Sequence, residues 1–162
     1  MGTDGRFLTA NRRKWKKRGE MKNPYWEEPD AGTRNLGYAL IGAAFEVYNQ
    51  LGSVFLEEVY QEALEVELSN RGIPFKAQER IPVLYKGQPL QKFYIADLVV
   101  GGSLLVELKA VKCLAEEHVA QLLNYLNATN LRVGYLLNFS QPKDLEWKRL
   151  VRRLRSAKIG GD

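Results

Sequence analysis

The chain has one cysteine, Cys113, and one histidine, His118, among 162 residues. A single thiol excludes an intramolecular disulfide framework, and one Cys with one His cannot furnish an iron–sulfur cluster or a Cys-rich zinc site. Cysteine usage this sparse fits a reducing, cytoplasmic setting. No apolar run approaches the ~20 residues of a membrane helix, so no membrane partner is expected. Residues 1–20 are basic but are followed by no apolar stretch, so they do not read as a secretory signal, and Arg6 breaks the myristoylation pattern after Gly2. Walker-type and dinucleotide-binding glycine motifs are absent, as is any Ser/His/Asp signature. The length suits one domain.

The net charge of +5 resembles the footprint of a polyanion binder, but it is unevenly placed. Residues 1–30 carry eight Lys/Arg against five Asp/Glu, and residues 143–158 carry seven against two. Residues 31–142 carry nine against eleven. The positive charge therefore sits at the ends, where basic segments either attract nucleic acid or simply keep a chain soluble.

Residues 1–34 lack an apolar period and contain the run Arg12-Arg13-Lys14-Trp15-Lys16-Lys17-Arg18. They are expected to form a flexible extension. From Leu36 a helical pattern sets in, with Leu36, Leu40, Ala43, Ala44 and Val47 on one face, ending near Leu51-Gly52. A second helix is expected over 53–70, closed by Arg71-Gly72 and Pro74. Extended runs follow over 75–85, 90–100 and 104–110, with turns at Lys86-Gly87 and Gly101-Gly102. An amphipathic helix is expected over 115–129 and a doubly buried strand over 131–139. In 144–155 neither period prevails. The order predicts an α/β sandwich around a mixed sheet flanked by helices, a domain over 35–156 and a short tail over 157–162.

Three ionisable groups interrupt the apolar strands at Asp97, Glu107 and Lys109, where an unpaired charge is costly. Glu107 and Lys109 are two apart and share a strand face. Asp97 joins that face if a three-residue loop, Gly101-Gly102-Ser103, pairs it with Glu107; a two-residue turn would send the carboxylates to opposite faces. The same-face register is expected. Two converging carboxylates beside a lysine suit a hard divalent cation, Mg²⁺ or Mn²⁺. The competing reading is a buried ion pair without chemistry.

On the second helix, Glu58, Glu62, Glu65 and Ser69 form a solvent stripe at 100° per residue. Glu57 and Glu67 both lie off it, so angle alone does not single out Glu57. Gln121 and Tyr125 form an i, i+4 pair on the later helix, either reaching toward the sheet carboxylates or forming a polar edge. His118 is expected at a helix edge and Cys113 as a small packing residue.

Several ordered motifs carry a resemblance: Ile41-Gly42-Ala43-Ala44-Phe45-Glu46-Val47-Tyr48, Phe55-Leu56-Glu57-Glu58-Val59-Tyr60, Ala96-Asp97-Leu98-Val99-Val100, Val106-Glu107-Leu108-Lys109-Ala110 and Gln121-Leu122-Leu123-Asn124-Tyr125-Leu126. Over about residues 35–151 they resemble the small bacterial GxxExxY family of the PD-(D/E)XK nuclease superfamily. Val54 stands where the name-giving glycine aligns, and Tyr48 where a histidine is often found. The resemblance implies a restriction-endonuclease-like αβββαβ core with Asp97 and Glu107 as metal ligands and Lys109 as the catalytic lysine. It places Glu57 as the helix carboxylate at the site's edge, and Gln121 and Tyr125 as the Q-x-x-x-Y element of the exonuclease branch. The expected activity is Mg²⁺-dependent or Mn²⁺-dependent hydrolysis of nucleic acid, DNA foremost, by a chain that small nucleases of this type lead one to expect as a homodimer. The alternative is a nuclease-fold module that binds nucleic acid or a protein partner without turnover.

Overall fold

The computed structural model describes residues 30–152. Most of the expected extension over 1–34, and all of the tail over 157–162, lie outside the described residues. The first helix, α1 (Ala31–Leu51), starts five residues before Leu36. Asp30 caps it, its carboxylate accepting from Thr33 N–H at 2.9 Å and Thr33 Oγ1–H at 2.8 Å. Those bonds hold the Asp30 carboxyl below its usual range.

The second helix, α2 (Glu57–Asn70), begins later than its pattern predicts. Tyr60, fully buried, fastens the connection between the helices: its hydroxyl donates to Gly52 O at 2.6 Å and accepts from Phe55 N–H at 3.2 Å. Its ring stacks on Phe139 at 4.7 Å, tying the start of α2 to the sheet.

The sheet has strand order β1 (Phe75–Tyr85), β2 (Gln88–Val100), β3 (Leu104–Lys109), β4 (Val133–Asn138) and β5 (Glu146–Val151). The first three form an antiparallel meander, β3 and β4 are parallel, and β5 returns antiparallel to β4. A parallel pair needs a crossover, and α3 (Glu116–Ala128) supplies it. The mixed sheet is as expected from the order of elements, with β5 now assigned within the undecided segment 144–155.

Strand β3 shows how two layers share one sheet. Leu104, Val106 and Leu108 enter the core beneath α1 and α2, whereas Leu105 enters the other, with Leu122 and Leu126 of α3 and Leu136 of β4. Gly134 lets α3 settle closely, since a Cβ there would come within 3.0 Å of Leu122 and Leu126. Any side chain at Gly37 would run into the Tyr135 hydroxyl.

The crossover leaves the sheet through a buried polar clamp. Asn138, opposite Lys109 in the parallel ladder, accepts from Val111 N–H at 3.0 Å and donates to Val111 O at 2.9 Å and Glu146 Oε2 at 2.8 Å. Glu146 also accepts from Leu114 N–H at 3.1 Å. The clamp sets where the chain goes after Lys109, and hence where α3 begins.

Candidate active site

The β2–β3 hairpin closes through the three-residue loop Gly101-Gly102-Ser103, with φ of +58° and +67° at the two glycines. At Gly101 a side chain would also collide with Leu36. The register Leu98↔Val106, Val99↔Leu105 and Val100↔Leu104 sets Asp97 opposite Glu107, as expected.

Beyond Leu98 the backbone ladder gives way to side chains. Glu107 Oε1 accepts from Asp97 N–H at 3.1 Å, and Asp97 Oδ2 accepts from Leu108 N–H at 2.8 Å. Each carboxylate thus satisfies a backbone donor of the opposite strand, and the two strands part around the pair without leaving those N–H groups unpaired.

Glu107 is 3% exposed and Asp97 half-buried. Burial pushes the Glu107 carboxyl up to about 8, with the charge of Asp97 adding to the effect. Burial raises Asp97 as well, against the pull of Leu108 N–H, Lys109 and hydrogen bonds from Glu107 and Gln78. Glu107, the more deeply buried of the two, is the more strongly raised.

Lys109 extends toward α3. Its Nζ donates to Gln121 Oε1 at 2.9 Å, and Gln121 Nε2 donates to Tyr125 Oη at 3.1 Å. An ammonium only donates, so the glutamine oxygen faces Lys109 and its amide nitrogen the phenol. Tyr125 stacks on Tyr94 of β2 at 4.7 Å. Its hydroxyl is raised by burial first and then by the charge of Glu107. Among the described residues, Lys109 forms its contact-distance bond with Gln121 and no ion pair with a carboxylate.

Glu57 opens α2, half-buried, with the Ala110 N–H favouring its charged form. Burial raises it, Lys109 lowers it and Asp97 raises it. Glu67, the other residue off the solvent stripe, pairs with Arg71 at 2.6 Å near the far end of the helix. A local i, i+4 pair for one and tertiary packing for the other thus separate two glutamates that helical angle leaves equivalent.

Two site residues escaped the sequence reading. Gln61, one turn beyond Glu57, donates to Asp97 O at 3.1 Å and to Glu65 Oε1 at 2.7 Å; its i, i+4 spacing from Glu57 was the available signal. Gln78 lies between the pairs Ala77↔Leu98 and Glu79↔Ala96, which puts it opposite Asp97, and its φ is +51°. His118 takes the expected helix-edge place, with Nδ1 accepting from Ala115 N–H at 2.9 Å. Cys113 is exposed and does not pack as expected, because it lies in the connection before α3.

A nuclease family model, described as "PD-(D/E)XK nuclease superfamily", matches residues 34–150. The chain belongs to this superfamily. The match spans Glu57, Asp97, Glu107, Lys109, Gln121 and Tyr125, and the five-stranded mixed sheet with three helices agrees with the restriction-endonuclease-like fold of PD-(D/E)XK proteins. Ala96, not proline, precedes Asp97 in this PD-(D/E)XK chain. Proteins of this superfamily are typically nucleases and generally use divalent metals. No curated protein matches. A solved chain described as "Crystal structure of SSO0001" is similar at 16% identity and a TM-score of 0.49, over 78% of this chain and 61% of that one. No helix among the described residues is long and apolar enough to cross a membrane.

The donor set fits a hard cation. Among the described residues no three His, Cys, Asp or Glu side chains converge as a ligand cluster; the site offers the Asp97–Glu107 pair, with Glu57 apart. Two carboxylates with water completing the shell suit Mg²⁺ or Mn²⁺, while the absence of His and Cys from the pair disfavours zinc.

Proposed function

We infer that this protein is a divalent-metal-dependent nuclease that hydrolyses phosphodiester bonds of DNA, with Asp97 and Glu107 as the metal ligands. The observation that carries this reading is the opposed carboxylate pair on parted strands, with Lys109 held beside it by Gln121. A bound Mg²⁺ or Mn²⁺ supplies Lewis acidity to a phosphate oxygen and acidifies water.

The chain's own groups do the rest. Lys109 uses one ammonium N–H on Gln121 and keeps two for phosphate oxygens, where they offset the charge that builds up in the transition state. Gln121 and Tyr125 fix the direction of that ammonium. Glu57, raised by its half-buried place, holds or takes a proton at the edge of the site. The motifs around these residues support assignment to the GxxExxY branch, with the catalytic unit over 35–156.

The test is cleavage of single-stranded and double-stranded DNA with Mg²⁺ or Mn²⁺. Wild type should cut, EDTA should stop it, and Asp97→Ala or Lys109→Ala should abolish it. Wild type and variants equally inert would contradict the reading and favour the binding-module alternative.

A further inference from the structure

The outer halves of β1 and β2 form a ribbon that the sheet does not use. Strand β3 pairs with β2 only at Leu98–Val100, whereas β1 and β2 remain paired from Glu79↔Ala96 to Tyr85↔Gln88. Beyond the packed Ile81, four residues of β1 thus project roughly 13 Å. The tip is a tight turn with Lys86 and Gly87 at φ of +49° and +79°, which suits the twist of a two-stranded ribbon. Every residue over 84–92 is exposed, Leu84 and Tyr85 by 60% and 63%. A ribbon of two strands has little stability of its own, and only its base is packed, through Ile81 and Tyr94 against the α3 side of the sheet.

Its charge is distinctive. Arg80, Lys86 and Lys92 lie on the ribbon, and after Glu79 there is no carboxylate until Asp97. The surrounding residues 31–142 carry more acids than bases. The ribbon is also continuous with the site: its strands run into Gln78 and Asp97, and Tyr94 at its base stacks on Tyr125.

We propose that this ribbon is a DNA-binding arm that enters the major groove of duplex DNA and carries the duplex to the Asp97–Glu107 pair. A two-stranded β-ribbon fits that groove, and its cations meet the flanking phosphates. Exposed Leu84, Tyr85 and Leu90 supply apolar contacts for base edges. A second copy of the chain fits less well, because a two-fold pairing of identical arms would bring their cations together. The inference deepens the nuclease reading, since the arm is argued to serve that site, but its test does not depend on cleavage.

The experiment measures binding of the full chain to a fluorescent DNA duplex of about two helical turns, in EDTA, across a range of salt concentrations. Lys86→Gln/Lys92→Gln and Arg80→Gln are compared with wild type after matching thermal unfolding confirms the fold. The double variant should bind on the order of tenfold or more weakly, and its log–log salt slope should fall by about one for each phosphate that is no longer neutralised. Unchanged duplex binding would overturn the proposal, as would weakening confined to a single-stranded probe. Loss of self-association in sedimentation, with duplex binding intact, would instead assign the ribbon to a second copy and overturn it. Failure of wild type to cleave DNA with metal, alongside the expected loss of binding, would reject the nuclease reading and leave the arm standing.

Discussion

Gln78 stands opposite Asp97 with its backbone at φ +51°, and its side-chain amide favours the charged form of the Asp97 carboxyl. Left-handed backbone in a strand residue other than glycine costs of order 1–3 kcal/mol and persists where surrounding structure over-determines it. Here the ladder is whole on both sides, at Ala77↔Leu98 and Glu79↔Ala96, and open at this one pair. Gln78→Gly should therefore raise stability by about 0.5–1 kcal/mol, as relief of strain, while weakening Mn²⁺ binding several-fold by removing a donor that orients Asp97. Urea denaturation and calorimetry read the two effects separately, and a fall in both would mark the residue as merely structural.

The carboxylate pair makes stability depend on pH. In the unfolded chain Glu107 loses its proton near the ordinary glutamate value, whereas in the fold it keeps the proton up to about 8. Between those values the folded state binds more protons, so stability is full below about pH 4.5 and is lost as pH rises toward 8. Asp97 and Glu57, also raised, add in the same direction. In EDTA, wild type should be less stable at about pH 8.5 than at about pH 5, by an amount on the order of a few kcal/mol. Glu107→Gln should remove most of the difference, and urea midpoints at the two pH values decide it.

The bonds from Lys109 to Gln121 and from Gln121 to Tyr125 rank two variants. Gln121→Ala leaves the ammonium without its fixed acceptor and should lower kcat by about 10–100-fold. Tyr125→Phe keeps the glutamine bond to Lys109 and should cost several-fold less. Equal losses, measured under single-turnover conditions, would mean that Tyr125 contacts substrate directly.

The buried clamp after β3 predicts a defect that acts from a distance. Asn138→Ala strips partners from both Val111 N–H and Val111 O and from Glu146, at a cost of about 2–4 kcal/mol. Because the clamp directs the chain from Lys109 into α3, activity should fall even at temperatures where the variant remains folded. Circular dichroism beside a cleavage assay tests both parts.

These particulars show where the sequence was legible. The apolar run of β3, buried on both sides from Leu104 to Leu108, made the strand readable, and the length of the glycine loop before it the Asp97–Glu107 register. The first turn of α1 was not, since its start depends on the Asp30 cap and its residues 32–35 carry no apolar stripe. Strand β5 is half-buried on both sides, so neither period emerges from Leu145, Trp147 and Leu150. Gln78 was hidden by a register shift between Pro82 and Leu84: counting back from the Lys86-Gly87 turn puts Lys76 opposite Asp97, and the shift puts Gln78 there. Of the two glutamates off the α2 stripe, Glu67 is taken up locally by Arg71 at i, i+4, whereas the place of Glu57 beside Ala110 depends on tertiary packing.

The central claim is that Asp97 and Glu107 hold a divalent cation, and crystals soaked in Mn²⁺ test it most directly through the anomalous signal of the metal. The account predicts one strong peak between the two carboxylates, lost in Asp97→Ala crystals of the same form. A soaked, well-ordered crystal with no peak at that position, or with the peak unchanged in the variant, would contradict it.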